Sequence, residues 1–258
     1  MISARIKIIA MSIKYNGNWN KIYRAICHRE EIEDKYIEKA EALKCGAITL
    51  VDADYPEHLK HVKDPPIVLY YYGDKSLLIN YRNNISVVGS RQYSEYGGNV
   101  TTEIVGDLAR RGYTIVSGLA IGIDTIAHQT AIDNGGKTIA VLPSGIDYCY
   151  PQSHKKIYSI IKKDHLLVSE IPGDTAPEPS SFPIRNRIIA GLSKTLLVTE
   201  AHPLSGSLIT VLLALEGNSD VMCVPYPVGE NSECNRIIQN GAYLVENADD
   251  VVNQMSKY

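Results

Sequence analysis

Surplus positive charge is missing from this chain. Its 258 residues carry 26 Lys and Arg against 29 Asp and Glu, a formal net charge of −3. A protein that holds nucleic acid by bulk charge is basic, so such binding here requires a few cations to converge on one site. Aromatics other than tyrosine are scarce: one Phe and one Trp accompany 17 Tyr. No apolar run approaches the ~18–20 residues of a membrane span. The apolar stretch near the N-terminus meets Lys14 too soon for the core of a signal peptide. The cysteines (Cys27, Cys45, Cys149, Cys223 and Cys234) are odd in number and contain no C-x-x-C pair. That argues against a disulfide framework and a structural zinc site, and for a reducing cytoplasm. The dinucleotide fingerprint G-x-G-x-x-G is missing too. The segment NGGKT (134–138) has the tail of a P-loop but not its first glycine, since position 131 is Ala.

What is present has a clear order. Residues 1–45 read as helical, with Lys44 and Gly46 as a stop signal. Next come a short strand, a Pro-marked turn and a short helix, closed by Pro65-Pro66. That break divides a short helical N-terminal region with its linker (1–64) from a larger domain (65–258). IVLYYYGD opens the larger part as a strand. Further strands are expected at 85–89, 113–118, 137–143, 165–170, 195–201, 220–225 and 242–246. Helical stretches at 95–111, 122–134, 153–163, 205–217 and 233–240 lie between them. Apolar strands alternating with helices give an α/β fold, a mostly parallel sheet with helices on both faces. Charge is not uniform along the chain: residues 1–84 are slightly basic, and 85–258 hold thirteen cations against eighteen acids.

In such sheets ligands bind beyond the carboxyl ends of the strands, often at helix N-termini. After ISVVG come Ser90, Arg91 and Ser94 before a helix, a set that suits phosphate; the plainer reading is a capped turn and a solvated arginine. After YTIVSG, Asp124 and His128 share a helix face, and structural hydrogen bonding suits them better than catalysis. Lys137 is a plausible phosphate contact. In SSFPIRNRIIAGLS, Phe182-Pro183 suggests an extended approach to a helix whose start carries Arg185, Asn186 and Arg187. Cations there oppose the macrodipole and suggest an anionic partner. A phenylalanine beside two arginines and an asparagine can stack a base, pair a phosphate and read an edge. Alternatively, Phe182 plugs the core and the arginines pair with Glu170 or Glu200. Ser205, Gly206 and Ser207 form another helix start with open N–H groups, or an ordinary N-cap. His58 and His61 lie on a charged segment and read as surface residues.

Taken in order, VVGSRQYSEYG, IVSGLAIGIDTIAH, GGKTIAVLPSGIDYCYP, LLVSEIP, FPIRNRIIAGLS, LLVTEA and SGSLIT resemble the DprA/Smf family (DNA-processing protein A), from about residue 47 to about 246. The resemblance implies an extended Rossmann-like domain, preceded by a short helical region, that binds single-stranded DNA. It also implies a homodimer that helps load RecA recombinase in natural transformation, in the cytoplasm, with no cofactor and no membrane association. By resemblance, Ser90 and Arg91 form the Gly-Ser-Arg loop, with Arg91 on phosphate. Lys137 and Lys194 line the DNA pocket, Phe182, Arg185, Asn186 and Arg187 form the Phe-Pro-x-Arg-Asn-Arg segment, and Ser205, Gly206 and Ser207 match the Ser-Gly helix start. The chain departs from the family at Val224-Pro225-Tyr226, where a Val-Pro-Gly turn is usual, in a shortened loop over 226–235, and in ending without a winged helix. A different class, a phosphoribohydrolase-like nucleotide enzyme of a related Rossmann group, would use the same phosphate cradle. It would need an acid such as Glu170 or Glu200, and the Pro-Gly-Gly-x-Gly-Thr loop of that group is missing here.

Overall fold

In the computed structural model, which describes residues 2–230 and 232–257, three helices come first: α1 (Ala4–Lys14), α2 (Trp19–Cys27) and α3 (Asp34–Glu41). Then follow β1 (Gly46–Thr49), β2 (Val68–Gly73), β3 (Asn84–Gly89), α4 (Glu95–Arg110), β4 (Thr114–Ser117), α5 (Ile123–Asp133) and β5 (Lys137–Val141). The chain continues through α6 (Lys155–Asp164), β6 (Leu166–Ser169), α7 (Ser181–Gly191), β7 (Thr195–Glu200) and α8 (Gly206–Glu216). It closes with β8 (Asp220–Cys223), α9 (Cys234–Gln239), β9 (Tyr243–Leu244) and α10 (Ala248–Met255). Among the described residues the strands form one sheet in the order β1-β2-β6-β5-β4-β3-β7-β8-β9. From β6 to β9 every pairing is parallel. β2 runs antiparallel to both β1 and β6. The Pro65-Pro66 break thus falls between two paired strands, and one sheet runs across it.

Alternation along the strands builds a core on each face. Ile85, Val87, Ile115 and Leu197 point to one side, under α4, α5 and α10. Val88, Val116, Leu196 and Val198 point to the other, under α7 and α8. Both faces are covered, so the central strands are apolar throughout. The N-terminal helices share a third cluster with the sheet and α6: Ile9, Ile22 and Ile37 pack with Tyr70 and Leu167 of the strands and Tyr158 of the helix. Trp19 Nε1 donates to Pro65 O at 2.8 Å and ties α2 to the start of β2. His58 is not a free surface residue: it is half-buried and stacks on Tyr81 at 4.0 Å. No helix among the described residues is long and apolar enough to cross a membrane.

Candidate nucleic-acid interface

β3 and β7 are parallel neighbours, but the chain leaves β3 toward β4 and leaves β7 toward β8, on opposite sides. Their carboxyl ends form the switch point where α/β sheets open a crevice. Here the crevice is about 770 Å³, walled by the loops after β3, β4 and β7 and by the first turns of α7 and α8.

The loop after β3 is a hydroxyl-braced turn. Ser90 Oγ donates to Gln92 O at 2.6 Å and accepts from Gln92 N at 3.0 Å. The Ser90 hydroxyl is therefore committed, and its carbonyl takes Ile123 N at 3.1 Å. Gly122, at φ +93°, allows that approach, since a Cβ there would lie 2.7 Å from Arg91 Cα. Arg91 is left exposed, its guanidinium 5.1 Å from the centre of the Phe182 ring. Phe182 is half-buried and meets Tyr150 edge to face at 5.6 Å. It is not a core plug; it forms a flat aromatic wall carrying a cation, the combination that stacks an unpaired base.

α7 corrects an expectation. The helix begins at Ser181, so Phe182 and Pro183 lie inside its first turn rather than in an extended lead-in. Pro is accommodated in a first turn because its missing N–H would have no intrahelical acceptor. Arg185, Asn186 and Arg187 therefore occupy the second turn, and the macrodipole says little about them. All three are buried. Arg185 Nη1 donates to Gly118 O at 2.6 Å and also to Val141 O, while Nε donates to Asn186 Oδ1 at 3.1 Å. Burial pushes the Arg185 guanidinium down to about 10, Asp124 pulling it back up, so it stays charged at neutral pH in the crevice floor. Asp124 braces the same floor by accepting from Gly118 N at 3.1 Å and Ala120 N at 3.3 Å. Burial raises its carboxyl, and Arg185 opposes that shift.

Asn186 reaches the opposite wall, its Nδ2 3.4 Å from Gly206 O. There α8 starts with Ser205 at the N-cap, whose side chain makes no capping bond and instead pairs with Ser207 Oγ at 2.6 Å. The first N–H groups of a helix have no intrahelical acceptor, so this start presents donors and a partial positive charge to the crevice.

Three of the expected site residues lie elsewhere. Arg187 faces the other side of α7, where its Nη2 meets both oxygens of Glu170 at 2.7 and 2.8 Å. That buried pair is the acid partnership considered as the alternative. Burial raises the Glu170 carboxyl, and Arg187 offsets part of the rise. Lys137 is the first residue of β5 and Lys194 immediately precedes β7, so both stand at the amino end of the sheet. Five residues of strand put Lys137 roughly 13 Å from the carboxyl edge, and its Nζ donates to Asp164 O at 3.2 Å.

Glu200 is fully enclosed. It accepts from Ser94 N at 3.0 and 3.1 Å and from Ser94 Oγ at 3.0 Å, with Tyr226 Oη and His202 Nε2 also at 3.0 Å. It fixes the start of α4, and Gly97 is needed there because a Cβ would strike its carboxylate. Sequence reasoning left Tyr150 and His202 out of the site. Tyr150 had a signal, an aromatic before proline in a loop following a strand. Among the described residues no cluster of His, Cys, Asp and Glu is arranged to hold a metal.

Comparison with known proteins gives the family and the fold. The family model for DNA recombination-mediator protein A matches residues 46–256. DNA processing protein DprA of Streptococcus pneumoniae is 41% identical over 224 residues, covering 86% of this chain and 78% of that protein. The X-ray structure of DprA from Streptococcus pneumoniae superposes with a TM-score of 0.82 at 35% identity, over 96% of this chain and 92% of that one. DprA from Helicobacter pylori, whose structure describes a single-stranded DNA binding mode, gives a TM-score of 0.75 at 28% identity, over 84% and 97%.

Proposed function

The chain belongs to the DNA recombination-mediator protein A family, and from that premise we propose that its crevice binds single-stranded DNA and that the protein hands such strands to a RecA-type recombinase in natural transformation, in the cytoplasm and without catalysis. The observation that carries the reading is the Arg91–Phe182–Tyr150 platform standing across the crevice from the open N-terminus of α8. One wall offers stacking, the other donors for phosphate, and Arg185 supplies charge from the floor. Relatives in the family point the same way: the Helicobacter pylori protein is described by its single-stranded DNA binding mode.

A duplex hides its base faces, so such a platform favours unpaired strands with little sequence preference. A homodimer is part of the reading. Ile209, Leu212 and Leu215 form an exposed apolar stripe on α8, and Tyr243 and Leu244 are exposed on the edge strand β9. The phosphoribohydrolase alternative would need Glu170 or Glu200 as its acid. The first is held by Arg187 and the second by Ser94 and Tyr226.

Titration of labelled oligo-dT against a duplex of equal length, at several salt concentrations, tests the reading. Single strands should bind more tightly, with log affinity falling by about 0.7 per decade of salt for each phosphate engaged. Equal affinity for duplex at moderate salt would overturn it, as would base release from nucleoside monophosphates. A monomeric mass at micromolar concentration would overturn the homodimer.

A further inference from the structure

We propose that the cleft between the N-terminal helices and α7 is a second subsite, which takes a nucleobase from the strand held in the crevice. This rests on the crevice being the main site. The cleft is about 510 Å³ and lies behind α7 as the crevice lies in front of it. Helical spacing divides the residues: Ser181, Ile184 and Ile188 face the cleft, while Phe182, Asn186 and Ile189 face the crevice. The two spaces share α7 as a common wall, and Arg185 lines both as well as a small cavity between Arg91, Tyr150 and Phe182. Pro143 also borders both the small cavity and the cleft. On this proposal, the next nucleotide of a strand laid across the Phe182 ring lies beyond that shared wall, in the cleft.

The chemistry inside suits a base better than a phosphate. Trp19 lines the cleft with its indole already fixed, stacked on Tyr23 at 4.9 Å and 10° and bonded through Nε1 to Pro65 O. An aromatic held from two sides loses little freedom when a base packs on it. Beside it stand Asn16 and Asn20, whose amides can donate and accept to a base edge. Charge gives no attraction for phosphate here. Glu170 and Arg187 neutralise each other, and Asp64 and Glu178 on the walls stand against Lys21. The crevice thus grips backbone and one stacked base, and the cleft adds a contact that depends on the base alone.

The test is the length dependence of oligo-dT binding, with the shortest fully bound oligomer then remade with one abasic residue at either end. In the native protein the last nucleotide or two should add about tenfold in affinity, and the abasic residue at one end should remove that gain. Trp19→Ala should lose the same gain while binding shorter oligomers normally. Asn20→Asp, at an exposed position, gives the same readout if Trp19→Ala fails to fold. An unchanged length dependence in Asn20→Asp and any folded Trp19→Ala, or full affinity with both singly abasic oligomers, overturns the subsite and leaves the crevice reading standing. Failure of every oligomer to bind overturns the crevice reading itself.

Discussion

Arg185 and Arg187 lie two residues apart on α7, both buried, and the two sides of that helix treat them differently. Behind the helix, Arg187 is matched by the Glu170 carboxylate at 2.7 Å. In front, Arg185 spends its donors on neutral carbonyls and an amide, with Asp124 acting on it through space. Behind, the cation is neutralised and serves to lock α7 onto β6. In front, a fixed positive charge underlies an open crevice, whose walls add Arg91 and the N-terminus of α8. Two identical side chains in one short motif thus divide into one whose charge is neutralised by a carboxylate and one whose charge faces the crevice, according to where the nearest carboxylate points.

The sharpest way to break that contrast is Glu170→Ala. It would strand Arg187 as an unpaired buried cation, which costs about 3–5 kcal/mol. Urea unfolding should show a loss of that order. A stability loss under 1 kcal/mol would mean that Arg187 is not held as a charge pair.

His128 sharpens the comparison through the crevice floor. Its Nε2 accepts from Leu119 N at 3.3 Å, and its Nδ1 faces Thr138 Oγ1 at 2.6 Å, whose proton goes to Ile115 O. These partners require the neutral ring with its proton on Nδ1. Burial pushes its pKa down to about 3, well below the usual 6.5. The unfolded chain therefore binds a proton that the folded chain refuses, and His128 costs stability as pH falls from 6.5 toward 3. His128→Gln should be less stable than the native protein at pH 7 by about 1–3 kcal/mol, the cost of unsatisfied buried groups. Because Gln does not titrate, that difference should shrink in acid. A difference constant from pH 7 to pH 4 would show that the ring does not stay neutral for the reason given.

At the crevice wall, Arg91→Ala and Phe182→Ala should each weaken single-stranded DNA binding by about 1–3 kcal/mol, for separable reasons. Removing the arginine should also flatten the salt slope by about 0.7, because one phosphate contact is gone. Removing the ring should leave the slope unchanged. Neither residue is in the core, so thermal unfolding should barely move. Loss of folding in Phe182→Ala would return Phe182 to the role of a core plug.

The sheet was legible because strands buried on both faces read as apolar runs, such as ISVVG and TLLVTEA, whereas Gly46, read as a helix stop, opens β1, five residues after α3 ends at Glu41. The loops of the crevice were legible for the same reason, since they follow those runs. The roles of α7 were not. Ser180 and Ser181 ahead of Phe-Pro read as loop, whereas proline tolerates a first turn, and the shift carried the arginines from a helix start into the interior. Which arginine Glu170 would choose depends on the angle of α7 across the sheet, and no local pattern encodes that. Tyr150 read only as part of a loop over the same sheet edge, and its pairing with Phe182, 32 residues away in the chain, carries no local signal.

The smallest expected effect separates the two ends of the sheet. Resemblance placed Lys137 in the DNA pocket, but it opens β5 instead of following it. In a parallel sheet every strand starts at one end and finishes at the other, so a residue that opens a strand cannot stand with the loops that follow it. Its ammonium is exposed and donates to Asp164 O, far from the Arg91 guanidinium. At physiological salt the Debye length is about 8 Å, shorter than the roughly 13 Å that β5 interposes. Lys137→Ala should therefore change single-stranded DNA affinity by less than about 0.5 kcal/mol and leave the salt slope where it was, while Arg91→Ala moves both. If Lys137→Ala instead lowers the slope as Arg91→Ala does, the strand must wrap past the edge of the sheet to its amino end. The crevice would then be one stretch of a longer path, and the basic residues at both ends of the strands would share the phosphate backbone.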